Sequence, residues 1–170
     1  MQRSRLRTFV AGLTITALIA LGSAIPASAD DYSVVQNLGT GQCLHHNRSG
    51  TVRTVTSCSR TNGALQWHVH TLGTVDGRTA RQVRSNNPLQ PPFWCLDSNA
   101  EGDVYANECN GTNQFQMWEW IVQPNGVDNV VKNIRTGRCL GSPSNGSGRV
   151  NTVPCPDNDD YPYRWWRRLR

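Results

Sequence analysis

Beyond its N-terminal segment, the 170-residue sequence has no apolar run of membrane-spanning length. It shows no sustained helical periodicity and holds few Leu, Ile and Phe. The first absence excludes a helical membrane span in the body of the chain. The second excludes a helical bundle. The third implies a modest core that needs help from covalent links. No Ser sits in a nucleophile-elbow pattern, no Gly-rich phosphate loop follows a strand, and the acids are scattered through loops. The chain therefore reads as a non-enzyme that needs no cofactor. His45-His46 and His68-x-His70 offer two imidazoles at a time, with no third ligand at a metal-site spacing, so no metal is expected.

A strong charge imbalance is also missing. The whole chain carries 17 Lys+Arg against 12 Asp+Glu, a net +5. Arg3, Arg5 and Arg7 supply three of those charges, with no acid before Asp30, leaving 14 against 12, or +2. A nucleic-acid partner is not implied. Those arginines precede an apolar run from about Phe9 to Ile25 and a small-x-small Ala27-Ser28-Ala29. Residues 1–29 read as a secretory signal peptide, and residues 30–170 as one secreted, extracellular domain. An even count of six cysteines in an exported chain argues for disulfides. They lack the C-x₂₋₄-C spacing of a zinc site.

What the sequence does have is a phrase written more than once. NLGTGQCL at 37–44 returns as NIRTGRCL at 133–140. A third copy lies between them: SNNPLQPPFWCL ends on the same Cys-Leu, with a Pro-rich insertion in place of the Thr-Gly turn. The first cysteines Cys43, Cys95 and Cys139 are each followed by Leu. Their second cysteines, Cys58, Cys109 and Cys155, come 15, 14 and 16 residues later, and Trp67, Trp118 and Trp165 follow at 9, 9 and 10. Each copy, over about 33–76, 80–125 and 127–170, opens on a β-branched run and proceeds through turn-bounded strands, about four per copy. The fold class is all-β. The repeat selects the local pairs Cys43–Cys58, Cys95–Cys109 and Cys139–Cys155, because mixed pairings break the threefold pattern. Each closes a loop of about 15 residues, worth roughly 3 kcal/mol in the chain-entropy description.

The triplicate Cys-Leu…Cys…Trp pattern, its two Thr-Gly turns and the Gln116-Met117-Trp118 unit resemble the ricin-type β-trefoil lectin domain, a QxW-repeat family. The resemblance covers nearly all of residues 30–170. It implies a β-trefoil of three four-stranded repeats with one disulfide each: six strands in a barrel, capped by three hairpins. Trp67, Trp118 and either Trp165 or Trp166 are expected in the core rather than as sugar platforms.

The resemblance also implies where a sugar would bind. The family uses an Asp just after Cys-Leu, an aromatic two residues before the second Cys, and an Asn-Gln pair just ahead of the Trp. The first copy has His45, Thr56 and Ala64-Leu65; the third has Gly141, Val153 and Pro162-Tyr163. Neither carries the pattern. The second keeps Asp97 and Gln116, with Asn107 for the aromatic and Phe115 for the Asn. Tyr105, Trp94, Asn113 and Gln114 stand nearby as substitutes. The candidate carbohydrate-binding residues are Asp97, Tyr105, Asn107, Asn113, Gln114 and Gln116. Asp97 is open to a second role, closing its own loop on backbone amides. Two functions follow: a secreted lectin-like protein that binds a glycan or polysaccharide at the second copy, or an interaction or adaptor protein that partners a secreted toxin or hydrolase or acts as an inhibitor. For the second, the Arg-rich YPYRWWRRLR end and the PPFW loop are the candidate surfaces.

Overall fold

The computed structural model describes residues 32–47, 49–86, 94–144, 148–155 and 162–169. Residues 1–31, which include the expected signal peptide, and residues 87–93 of the PPFW loop lie outside them. Twelve strands occur among the described residues. They are β1 (Ser33–Asn37), β2 (Cys43–His46), β3 (Val52–Val55), β4 (Gln66–Val75), β5 (Arg78–Ser85), β6 (Trp94–Ser98), β7 (Val104–Glu108), β8 (Trp118–Val122), β9 (Asn129–Asn133), β10 (Cys139–Gly141), β11 (Asn151–Val153) and β12 (Trp165–Leu169). Short 3-10 turns, Gly63–Leu65, Gln114–Gln116 and Pro162–Arg164, lead into β4, β8 and β12.

Strand pairing closes a ring. β1 pairs with β12 and β4, β5 with β4 and β8, and β9 with β8 and β12. These six strands form a barrel, and closure leaves it no open edge. Hairpins β2–β3, β6–β7 and β10–β11 hang from β1, β5 and β9 through Gln36↔Cys43, Arg84↔Cys95 and Lys132↔Cys139. This is the β-trefoil architecture. The disulfides join Cys43 to Cys58, Cys95 to Cys109 and Cys139 to Cys155.

The core is built almost wholly from triplets. Val35, Val83 and Val131 come from the barrel; Leu44, Leu96 and Leu140 from the hairpin starts; Val52, Val104 and Val150 from the hairpin returns; Trp67, Trp118 and Trp166 close it. The third core tryptophan is Trp166, fully buried, while Trp165 is only half-buried. The third copy thus carries two more residues between its second Cys and its core Trp than the first two, and its counterpart of Gln116-Met117-Trp118 is Arg164-Trp165-Trp166. Each indole N–H donates at 2.9 Å to a hairpin carbonyl: Trp67 to Leu44, Trp118 to Leu96, Trp166 to Leu140. Burying a Trp requires such a partner for its one donor.

The repeated Asn-x-x-Thr-Gly phrase now has a physical reason. Asn133 Nδ2 donates to the carbonyls of Phe115, at 2.7 Å, and Met117, at 3.4 Å, so it grips the segment leading into Trp118. Its Oδ1 accepts from the amides of Arg135 and Thr136 and from the Thr136 hydroxyl, closing the turn. Asn37 repeats the pattern on Tyr163, Trp165 and Thr40. Gly41 and Gly137 sit at φ +68° and +67°, the left-handed region that a side chain disfavours. Each Asn therefore ties its copy to the preceding one, the first to the third across the ring closure. In the second copy the position is Ser85, whose buried hydroxyl has no hydrogen-bond partner among the described residues.

The Arg-rich C-terminal stretch is not a free arm. Trp165–Leu169 is barrel strand β12, in register with β1 from Val34↔Leu169 to Asn37↔Trp166. Arg167 grips Asp128 by Nε–Oδ1 at 2.8 Å and Nη2–Oδ2 at 3.2 Å, and Arg168 Nε donates to Ser33 Oγ at 3.0 Å. Deleting Arg167–Arg170 would remove most of a barrel strand, so that truncation cannot isolate a docking surface.

Two outcomes are expected in urea unfolding of the oxidised protein. Asn133→Ala should cost about 2 kcal/mol, since it strands buried carbonyls and turn amides together. Arg167→Met should destabilise at neutral pH, and its deficit should shrink on acidification. The Arg167 guanidinium holds the Asp128 carboxyl below its ordinary range. With the folded pKa below the unfolded one, the pair's stabilisation is full above about pH 4 and is lost as pH falls through the folded value.

Candidate functional site

The candidate residues sit where hairpin β6–β7 meets the 3-10 turn before β8. Asp97 stands opposite Tyr105 and Cys95 opposite Asn107 in the β6–β7 ladder. Directly opposed residues share a face. Asp97, Tyr105 and Asn107 therefore lie on the outer face of the hairpin, while Leu96 and Ala106 enter the core.

Asp97 is 2% exposed, and both of its oxygens are engaged. Oδ1 accepts from the Ser98 amide at 2.8 Å. Oδ2 accepts from Gln116 Nε2 at 3.0 Å and Asn113 Nδ2 at 3.3 Å. Burial pushes the carboxyl above its ordinary range, opposed by the hydrogen bonds from Gln116, Ser98, Asn107 and Asn113. An ionised carboxylate accepts about four hydrogen bonds. The four donors around Asp97 take up that capacity.

Gln116 is the hub beneath. Its Nε2 also donates to the Glu108 carbonyl at 2.8 Å, and its Oε1 accepts from the Asn110 amide at 2.8 Å. Gln82, 1% exposed on β5, donates to the Asn110 carbonyl at 2.9 Å and to Gln116 Oε1 at 3.4 Å. Its own Oε1 accepts from Arg84 Nε and Nη2. Sequence reasoning missed Gln82. The signal was present: at the same strand position the other copies place the valines Val34 and Val130. A buried Gln in place of Val marks the copy that has a carboxylate to support.

Above this network lies an open depression of about 560 Å³, lined by Asn107, Glu108, Cys109, Asn110, Gly111, Asn113 and Gln116. Asn107 is exposed and Asn113 half-buried, so amides face the opening. Asn113 is partly structural, because its Oδ1 caps the 3-10 turn on the Phe115 amide at 3.0 Å. Gln114 lies in that turn, half-buried, and does not line the depression. Tyr105 donates its hydroxyl to the Ser98 carbonyl at 3.3 Å and lines a different cavity, on the hairpin cap. The structure thus joins Asp97, Asn107, Asn113 and Gln116, and sets Tyr105 and Gln114 to the side.

The other copies differ in substance. His45 faces Arg53 where Asp97 faces Tyr105, and Gly141 faces Asn151. Cys43 pairs with Val55, so Val55 rather than Thr56 is the counterpart of Asn107 and Val153. Leu65, buried against Val34 and Cys43, takes the place of Gln116. Among the described residues no three His, Cys, Asp or Glu converge to hold a metal ion. His68 and His70 are half-buried, with ring centroids 5.8 Å apart.

Gln116→Leu should cost about 2–3 kcal/mol in the same unfolding assay. Leu suits the first copy, but here it would leave the buried carboxylate and the Asn110 amide short of partners.

The ricin-type beta-trefoil lectin domain family matches residues 31–165. No curated protein sequence matches the chain. Among solved structures, the designed threefold-symmetric protein ThreeFoil is similar, with a TM-score of 0.62 and 15% identity over 82% of this chain and 98% of that one. The Haemophilus ducreyi cytolethal distending toxin is similar at a TM-score of 0.64 and 13% identity, over 85% of this chain and 86% of that chain. Those identities speak to the fold alone.

Proposed function

Since this chain belongs to the ricin-type beta-trefoil lectin domain family, we propose that it is a secreted carbohydrate-binding protein that acts without chemistry, through one site on the second copy. The observation that carries the reading is the Asp97 carboxylate on the outer hairpin face, held by Gln116 and Asn113 beside an open, amide-lined depression. The amides of Asn107 and Asn113 both accept and donate, as vicinal hydroxyls do. The depression is polar and shallow, so a single site of this kind binds weakly and discriminates by hydrogen bonds. The first and third copies, with His45 and Gly141, contribute no equivalent carboxylate.

A second reading is an interaction protein on the same fold. One observation favours it: Val122 and Val127, 62% and 54% exposed, flank the β8–β9 turn with Ile121 beside them.

A glycan array and polysaccharide pull-down with the oxidised protein separates the two readings. The lectin reading expects binding that falls at least tenfold in Asp97→Ala and in the less buried Asn113→Ala, with both variants checked for cooperative unfolding. A folded wild type that binds no glycan, or binding indifferent to both variants, would overturn it in favour of docking.

A further inference from the structure

The three hairpins meet at the end of the barrel axis, and their meeting point holds a second cavity. Three isolated antiparallel bridges tie them in a ring: Thr51↔Tyr105, Asp103↔Asn151 and Arg53↔Arg149. Three amide–carbonyl bonds lock that ring, Thr54 to Gly148, Ala106 to Gly50 and Thr152 to Gly102, at 2.6, 2.7 and 2.7 Å. The glycines are required there. They sit at φ +82°, +102° and +75°, and a Cβ on Gly50 or Gly102 would lie 2.7 or 2.8 Å from the opposing carbonyl oxygen. The frame of the cavity is therefore rigid backbone rather than loose loop.

The cavity is open to solvent and holds about 540 Å³, within the range of small-molecule sites. Arg53, Arg149, Asp103 and Tyr105 line it, with the hydroxyls of Ser49 and Thr51. Arg53 and Arg149 are bridge partners, so their side chains leave the same face side by side. Two like charges so placed repel unless an anion lies between them. Asp103 answers only one: its Oδ1 accepts from Arg149 Nη2 at 2.8 Å, in a pair that is largely solvated. Among the described residues Arg53 has no ion pair, and the lining carries a net charge of +1.

The geometry points to a binding site for a carboxylate-bearing sugar, a uronic acid residue of an acidic polysaccharide, at this axial cavity. The Arg53 guanidinium offers a planar fork that matches a carboxylate, and Arg149 has donors to spare beyond Asp103. Tyr105 supplies an aromatic wall for the C–H face of a pyranose ring. Asp103, Ser49 and Thr51 accept from and donate to its hydroxyls. In the other two bridges of the ring the paired side chains are Thr with Tyr and Asp with Asn, so the paired arginines are a local choice and not a demand of the fold. This site is separate from the Asp97 depression and stands or falls independently of it.

The test uses a galacturonate hexamer and its methyl-esterified form, titrated calorimetrically into the oxidised protein at low and moderate salt. The expected result is saturable binding of the free acid, weakened at least tenfold by esterification. Arg53→Gln and Arg149→Gln should each produce a similar loss, while Asp97→Ala should leave binding unchanged. Both arginines are exposed, and thermal melts confirm that the variants fold. Equal binding of acid and ester, binding indifferent to both arginines, or no binding by the folded wild type would each overturn the assignment. Loss in Asp97→Ala alone would place the acid in the other site and also overturn it.

Discussion

Three hydrogen bonds of 2.9 Å hold this molecule to its shape: the indole N–H of Trp67, Trp118 and Trp166 to the carbonyls of Leu44, Leu96 and Leu140. Each tryptophan begins or nearly begins a barrel strand, and each Leu belongs to the hairpin of the same copy. The bond therefore fixes the hairpin's angle to the barrel while the indole fills the centre. Replacing any of them by Ala would cost on the order of 3–5 kcal/mol. The chain has little else to offset such a loss, because Leu, Ile and Phe are scarce. The valine and leucine triplets pack only because the tryptophans set the spacing between barrel and cap.

That constraint explains which positions were free to diverge. Residues facing the core recur in threes. Residues facing outward from the hairpins do not: His45, Asp97 and Gly141 occupy the same place, as do Arg53, Tyr105 and Asn151. The scaffold tolerates any of these because the ladder of backbone bonds and the disulfides do not depend on them. Binding chemistry can therefore be placed on one copy alone. On the second copy Gln82 and Gln116 are buried beside the Asp97 carboxylate, where the first copy has Val34 and Leu65.

Much of the fold was legible in the sequence, because a threefold repeat states its rules three times. The cysteine pairs, the β-branched strand openings and the twelve-strand count came from spacing alone. The third tryptophan did not, since Trp165 and Trp166 are adjacent and only packing selects between them. The same one-residue slip hid Val55 behind Thr56 in the first copy. At the site, the family resemblance pointed to Asp97 and Gln116 but not to their geometry. Tyr105 reads as a nearby stand-in for the missing aromatic; it opposes Asp97 in the ladder and lines the axial cavity. Gln82 lay nearly thirty residues before its partners, on a strand whose polar face reads as exposed. The Arg-rich end read as a tail, although alternation in a closing barrel strand also sends Arg167 to a buried acid.

The account rests on a single claim, that the amides gathered around Asp97 form a working sugar site and the matching positions elsewhere do not. The most direct measurement is a nuclear magnetic resonance titration of the ¹⁵N-labelled, oxidised protein with a glycan that it retains. The account predicts saturable shifts of the side-chain amide signals of Asn107, Asn113 and Gln116, while the backbone amides of His45, Val55 and Gly141 stay still. Shifts confined to the latter positions, or no shift at the amides around Asp97 under saturating glycan, would contradict it.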